Sequence, residues 1–309
     1  MLVAALINHD YPLSASAARM PCNRTFLRGR YKEGMALPCF FLMPLCLTLL
    51  LLLVNPAGAN GAVIYFYSPE LNVDSFSSLK GAFDNYLARF GNYQFQPFKD
   101  KETFERHVNA QTLGHNGQKD NDNIFLVSSW YYLMIKDRAK VRPVMVGLSN
   151  GKAVQKLVLV ASKKVASLDK LQGGKLAASG TQEHNRNVLR QILGNKKEIS
   201  DTVSILTVPK DIDALMSLGF GLVDYAVTTD NSLEKLSTIN QELYRTITTL
   251  LQSNDIMLPV ILIPDKSDSD TLLTILEKMG KEPEGAKVLK MLGLEKLRRL
   301  SPSEIKTLE

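Results

Sequence analysis

Short apolar strands alternate with amphipathic helical segments twice along this chain, and the alternation begins afresh the second time. That pattern restricts the fold to an α/β architecture with sheets flanked by helices. The first run opens with the strand Val63–Tyr67. It continues through a helix whose Leu79, Phe83, Tyr86, Leu87 and Phe90 share one face before Gly91 ends it. The strand Tyr93–Phe98, a helix over Lys101–Gln111, the polar loop Gly114–Asn123 and the buried strand Ile124–Val127 follow. The second run comprises Lys175–Ala178, a helix from Thr181 to Leu193, Val203–Val208, a helix from Asp211, and Leu222–Val227.

Between the runs, Val141–Leu148 and Val154–Ala161 flank Ser149-Asn150-Gly151-Lys152, which is hairpin spacing with Asn150-Gly151 at the turn. A long helix is expected from Ser232 to about Leu251, a strand at Pro259–Pro264, and a helical tail from Ser269 onward. Two fresh starts imply two lobes, each a mostly parallel sheet, with a cleft between them. The first lobe spans 60–161 and is completed by 259–309, while the second spans 162–258. Crossings near Val160–Lys163 and Ile256–Ile261 are the expected hinges.

Ahead of the first strand, Arg19, Arg24, Arg28, Arg30 and Lys32 precede the apolar run Phe40–Val54, closed by Ala57-Gly58-Ala59. Residues 1–59 therefore read as a secretory signal with an upstream extension, either cleaved near Asn60 or kept as an anchor. All three cysteines, Cys22, Cys39 and Cys46, fall inside it, so the exported chain carries no thiol and rests on its core. Removal of the segment leaves 32 basic and 29 acidic residues, a mild balance that gives no reason to expect a nucleic-acid partner.

Enzyme signatures are missing. The histidines lack zinc-ligand spacing, and neither a Gly-x-Ser-x-Gly elbow, a phosphate-cradling Gly-x-x-x-x-Gly-Lys loop nor a dinucleotide fingerprint occurs. No cofactor or metal is implied. The basic run Lys287–Arg299 is expected to pack Val288, Leu289, Leu292, Leu294 and Leu297 onto the first lobe and turn its charges to water.

Several segments then point to a family. They are Tyr65-Phe66-Tyr67-Ser68-Pro69-Glu70, Ser128-Ser129-Trp130-Tyr131, the stretch Leu171 to Thr181, Gly221-Leu222-Val223-Asp224, and the tail Glu282 to Leu289. In that order they resemble the periplasmic solute-binding proteins of the phosphate, phosphite and phosphonate type that serve ABC transporters. The resemblance implies a two-lobed type 2 periplasmic-binding fold and a small-molecule solute held in the interlobe cleft. It also implies an inner-membrane transporter as partner and a monomer in the periplasm.

The same likeness assigns the ligand-binding positions. Tyr67, Ser68, Glu70, Ser128, Ser129, Trp130 and Tyr131 come from the first lobe, and Ser179, Gly180, Thr181, Gln182, His184 and Asp224 from the second. A helix start at Thr181 suits an oxyanion, because first-turn amides lack partners and the helix dipole favours negative charge there. Where the family has a run of hydroxyls, this chain has Gln182-Glu183-His184, and Trp130–Met134 is aromatic and apolar. Those departures raise a second ligand class on the same fold, a sterol or other lipid. Receptors of this fold also serve as sensor modules for membrane signalling proteins.

Overall fold

The computed structural model describes residues 61–71, 76–112, 122–267 and 269–308. The expected leader, residues 1–59, lies outside them, as does most of the polar loop before Asn123.

Thirteen strands occur among the described residues. The chain lays down β1 (Val63–Tyr67), β2 (Gln94–Pro97), β3 (Ile124–Val127) and β4 (Val141–Leu148), then the short β5 (Val154–Gln155). Next come β6 (Leu157–Ser162), β7 (Lys175–Ser179), β8 (Ser204–Val208), β9 (Tyr225–Thr229) and β10 (Ile247–Gln252). It ends with β11 (Ile256–Met257), β12 (Val260–Pro264) and β13 (Lys296–Arg299). One sheet has the order β13-β4-β12-β3-β1-β2, the other β10-β6-β9-β7-β8, and β5 and β11 form a ribbon of their own.

Both sheets are mixed, where the strand and helix alternation alone implies mostly parallel ones. β1, β2 and β3 run parallel, as do β7, β8 and β9, each step joined by a helical crossover. The antiparallel members are β4, β12 and β13 in one sheet and β6 and β10 in the other. All but β13 adjoin the two passages of the chain between sheets.

The hairpin expectation is corrected at those passages. Ser149 and Lys152 do exchange backbone hydrogen bonds (3.0 and 2.9 Å), with Asn150 and Gly151 both at positive φ. Yet β4 pairs with β12 and β13, whereas β6 pairs with β9 and β10, so the turn leads from one sheet toward the other. Val160–Ala161 consequently lies fully buried within β6 rather than at a crossing. The crossings are the segments around the antiparallel β5 and β11, the second of which coincides with the expected Ile256–Ile261.

Two further elements differ from the periodicity. The long helix breaks into Asp230–Ile239 and Gln241–Thr246. Asn240 leaves helical geometry and its side chain accepts the Leu243 N–H at 3.0 Å, capping the second helix. Beyond it, the β-branched run Ile247-Thr248-Thr249 becomes β10. The tail is interrupted by β13: Gly293 (φ 73°) ends the helix Pro283–Met291, and Leu297 turns inward between partly or fully exposed neighbours. Leu294, Leu297, Val288 and Leu289 join the core of the first sheet, as their pattern suggests. Arg298 and Arg299 are held by Glu304, Asp270 and Glu277.

Candidate functional site

Parallel strands bring the ends of β7, β8 and β9 to one edge of the second sheet. At that edge Ser179 is the last residue of β7, Asp211 opens the helix after β8, and Thr229 ends β9. The Ser179 hydroxyl donates to the Asp211 carboxylate. Burial raises the Asp211 pKa, and the Ser179 and Thr229 hydroxyls oppose that rise.

Gly180 and Thr181 continue into the helix Gln182–Leu193. Thr181 is its N-cap, accepting the His184 N–H on its hydroxyl at 3.2 Å. The backbone of Gly180 has φ 87° and meets the other sheet's turn: a β-carbon there would lie 2.6 Å from the Pro69 carbonyl oxygen and 3.0 Å from the Glu70 α-carbon. Glycine is needed for both reasons. The Thr181 N–H donates to that same Pro69 carbonyl at 2.9 Å, so a neutral acceptor from the first sheet occupies one of the helix's unpartnered amides.

On the first-sheet side, Ser68 and Pro69 are buried, and the Glu70 N–H donates to the Ser68 hydroxyl at 3.3 Å. The Glu70 carboxyl is pushed up to about 7, chiefly by burial and then by the Asp211 carboxylate across the gap; its hydrogen bond with the Ser128 hydroxyl offsets part of this. Ser128 caps the helix Ser129–Ile135 by accepting the Tyr131 N–H at 3.2 Å. Ser129 donates to the Met257 carbonyl of β11, which ties this helix to a crossing strand.

Beside Pro69 lies a recess of about 30 Å³ lined by Tyr67, Lys101, Trp130, Tyr131, Met134, Thr181, Glu183, His184 and Asn187. That volume holds a water molecule or two. Trp130 and the buried His184 pack edge-on against each other in its wall, with ring centroids 5.0 Å apart and planes at 86°. Burial lowers the His184 pKa to about 4, and its Nδ1 has no hydrogen-bond partner. Tyr67 packs against Tyr131 (4.8 Å) and Phe104 (5.4 Å), and burial followed by nearby Glu183 pushes its hydroxyl up to about 12. The Tyr131 hydroxyl donates to Glu105 at 3.0 Å, so this residue offers the recess its ring.

Most of the expected positions thus gather where the sheets meet. Gln182 is exposed and does not line the recess. Asp224 is displaced: its N–H bonds the carbonyl of Lys175, at the far end of β7 from Ser179, because β9 runs parallel to β7. The residues at the near edge that are absent from the assigned ligand-binding positions are Asp211, Thr229 and Pro69. The rule that ends of neighbouring parallel strands share an edge points to the first two.

Two sheets of this topology, meeting at a helix start, make a two-lobed α/β fold. The chain belongs to the family of periplasmic substrate-binding proteins of phosphonate ABC transporters, whose model matches residues 108–305. Among solved structures it is similar to a binding protein of a Pseudomonas aeruginosa ABC phosphonate transporter, with TM-score 0.53, 17% identity, and 80% of this chain and 84% of that one covered. A Prochlorococcus marinus protein solved with methylphosphonate gives TM-score 0.51 at 11% identity, covering 80% and 95%. A Xanthomonas citri protein solved with ATP gives 0.51 at 13%, covering 80% and 96%. No curated protein matches the chain in sequence.

Proposed function

We propose that this protein captures a phosphonate-type solute between its two sheets and passes it to an inner-membrane ABC transporter, acting as a periplasmic monomer delivered by the leader at 1–59. The observation that carries this reading is the bond from the Thr181 N–H to the Pro69 carbonyl. Donor and acceptor come from opposite lobes, at the helix start where the family resemblance places an oxyanion. A ligand oxygen would replace the Pro69 carbonyl as acceptor, and as an anion it would gain from the helix dipole, which a neutral carbonyl exploits less.

Lobe one would be 61–148 with 260–308, and lobe two 157–252, the chain crossing through β5 and β11. Ligand contacts to both lobes favour the closed state, so affinity reflects the difference in contacts between open and closed forms. No covalent step is required. The family match favours a phosphonate-type solute over a lipid.

Calorimetric titration with methylphosphonate tests the reading. Binding is expected, and Thr181→Ala should weaken it about tenfold, equivalent to about 1.4 kcal/mol, through loss of the cap and of a hydroxyl at the anion site. Equal affinity in the variant would remove Thr181 from the ligand's surroundings.

A further inference from the structure

The buried Nδ1 of His184 is unpartnered, and leaving such a group unsatisfied costs about 1–3 kcal/mol. Protein interiors rarely tolerate that cost without a reason, and in a solute receptor the missing partner is naturally the solute. His184 lines the recess, and the Trp130 ring packs edge-on against it in the same wall. Tyr67 and Tyr131 extend the aromatic surface behind Trp130. Met134, 44% exposed and unbranched, is a wall that can swing aside.

We propose that Trp130 and His184 form a subsite for a flat, uncharged aromatic substituent on the solute, directly attached to or one carbon away from its phosphorus. This rests on the phosphonate reading above. The linker length follows from helix geometry: His184 lies three residues beyond Thr181, about 4.5 Å along the axis. A head group held by the amides at Thr181 therefore brings only a closely attached ring alongside the imidazole, and a longer chain overshoots it. The preference for an uncharged group follows from the surroundings. His184 is held neutral by burial. Glu183 and Lys101 both line the recess and offset each other, and Glu105 is paired with Arg138. The carboxylates of Asp100 and Glu102 also act on the neighbouring Tyr67, so the remaining balance is negative and opposes a second negative charge on the solute. A neutral imidazole nitrogen can donate to or accept from a ring heteroatom or substituent, and Trp130 supplies the stacking face.

Trp130 is the only tryptophan in the chain, so its fluorescence reports on this subsite alone. The full chain is titrated with methylphosphonate, phenylphosphonate, benzylphosphonate and octylphosphonate, following both heat and tryptophan emission. Phenyl- or benzylphosphonate should bind at least tenfold tighter than methyl- and octylphosphonate and shift the emission. The ratio of phenyl to methyl affinity should fall toward one in Trp130→Leu and in His184→Ala.

Equal affinity for phenyl- and methylphosphonate, with unmoved emission in the wild-type chain, overturns the subsite and leaves the phosphonate reading standing. A ratio that survives both substitutions likewise overturns it. Failure of all four compounds to bind overturns the subsite and the phosphonate reading together. The wild-type ratio decides the matter even where a variant folds poorly.

Discussion

The two sheets are cored by different chemistry. The first core stacks rings: Phe83 on Phe95 at 4.0 Å and 5°, Phe95 near Phe66, Phe66 near Phe76, and Tyr67 between Phe104 and Tyr131. The second sheet packs Leu, Val, Ile and Ala on both faces, with Tyr225 its only fully buried ring among the described residues. Phe66 and Tyr67 are consecutive in β1 and face opposite sides of the sheet, so these rings form two groups. Aromatic side chains bury large areas with few rotatable bonds, and the group of Tyr67, Phe104 and Tyr131 makes a stiff backing for the recess. The second sheet presents instead a helix start, a set of hydroxyls and a carboxylate. In the proposed function both sides offer polar groups, Ser68, Glu70 and Ser128 from the first and Ser179, Thr181 and Asp211 from the second, while the first alone adds a ring surface.

The largest effect should come from the ring stack. Phe95→Ala removes a fully buried ring and should cost about 3–5 kcal/mol, while Leu215→Ala in the second core should cost about 2–5 kcal/mol. Hydrogen exchange tells the two apart. Phe95→Ala should raise exchange in β1, β2 and β3, and Leu215→Ala in β7, β8 and β9. Uniform loss of protection across both sheets in either variant would show one cooperative core and dissolve the distinction.

A middle-sized effect is expected where the sides touch. Gly180→Ala places a methyl group 2.6 Å from the Pro69 oxygen in a left-handed backbone. Strain and contact together should cost about 2–3 kcal/mol. Relief comes by parting the lobes, which breaks the Thr181 to Pro69 bond and separates Trp130 from His184. A red shift of tryptophan emission and a larger radius of gyration should follow; unchanged values of both would mean the contact adjusts locally.

How far the sequence reveals this arrangement depends on whether a feature is local. Strand and helix periodicity, the Thr181 cap and the apolar face of Val288, Leu289, Leu294 and Leu297 are local or nearly so, and each is legible. β10 and β13 are hidden because Leu250 and Leu297 also fit a helical spacing, and the deciding signals, Asn240 and Gly293, are single residues. Asp224 illustrates a different failure: proximity along the chain to a site motif does not say which end of a strand a residue occupies. Pro69 against Gly180 is a contact between lobes more than a hundred positions apart, and no periodicity encodes it.

The smallest effect concerns charge across the gap. In the folded protein Glu70 has a pKa of about 7, against 4.5 for a free glutamate, so between those values the folded state holds a proton that the unfolded state has lost. Stability from this group is full below about pH 4.5, falls as pH rises, and levels off above about 7. Asp211, raised by burial, contributes with the same sign. His184 acts oppositely. Its folded pKa of about 4 lies below the usual 6.5, so its contribution is full above 6.5 and is lost as pH falls toward 4. Wild-type melting temperatures between pH 4.5 and 7.5 should therefore vary little. Glu70→Gln removes the main falling limb, leaving His184 to dominate. Its melting temperature should climb relative to wild type by about 2–4 °C from pH 4.5 to pH 7, corresponding to about 1 kcal/mol. Parallel curves for the two proteins would mean that the Glu70 carboxyl is neither buried nor set against Asp211 in the folded protein.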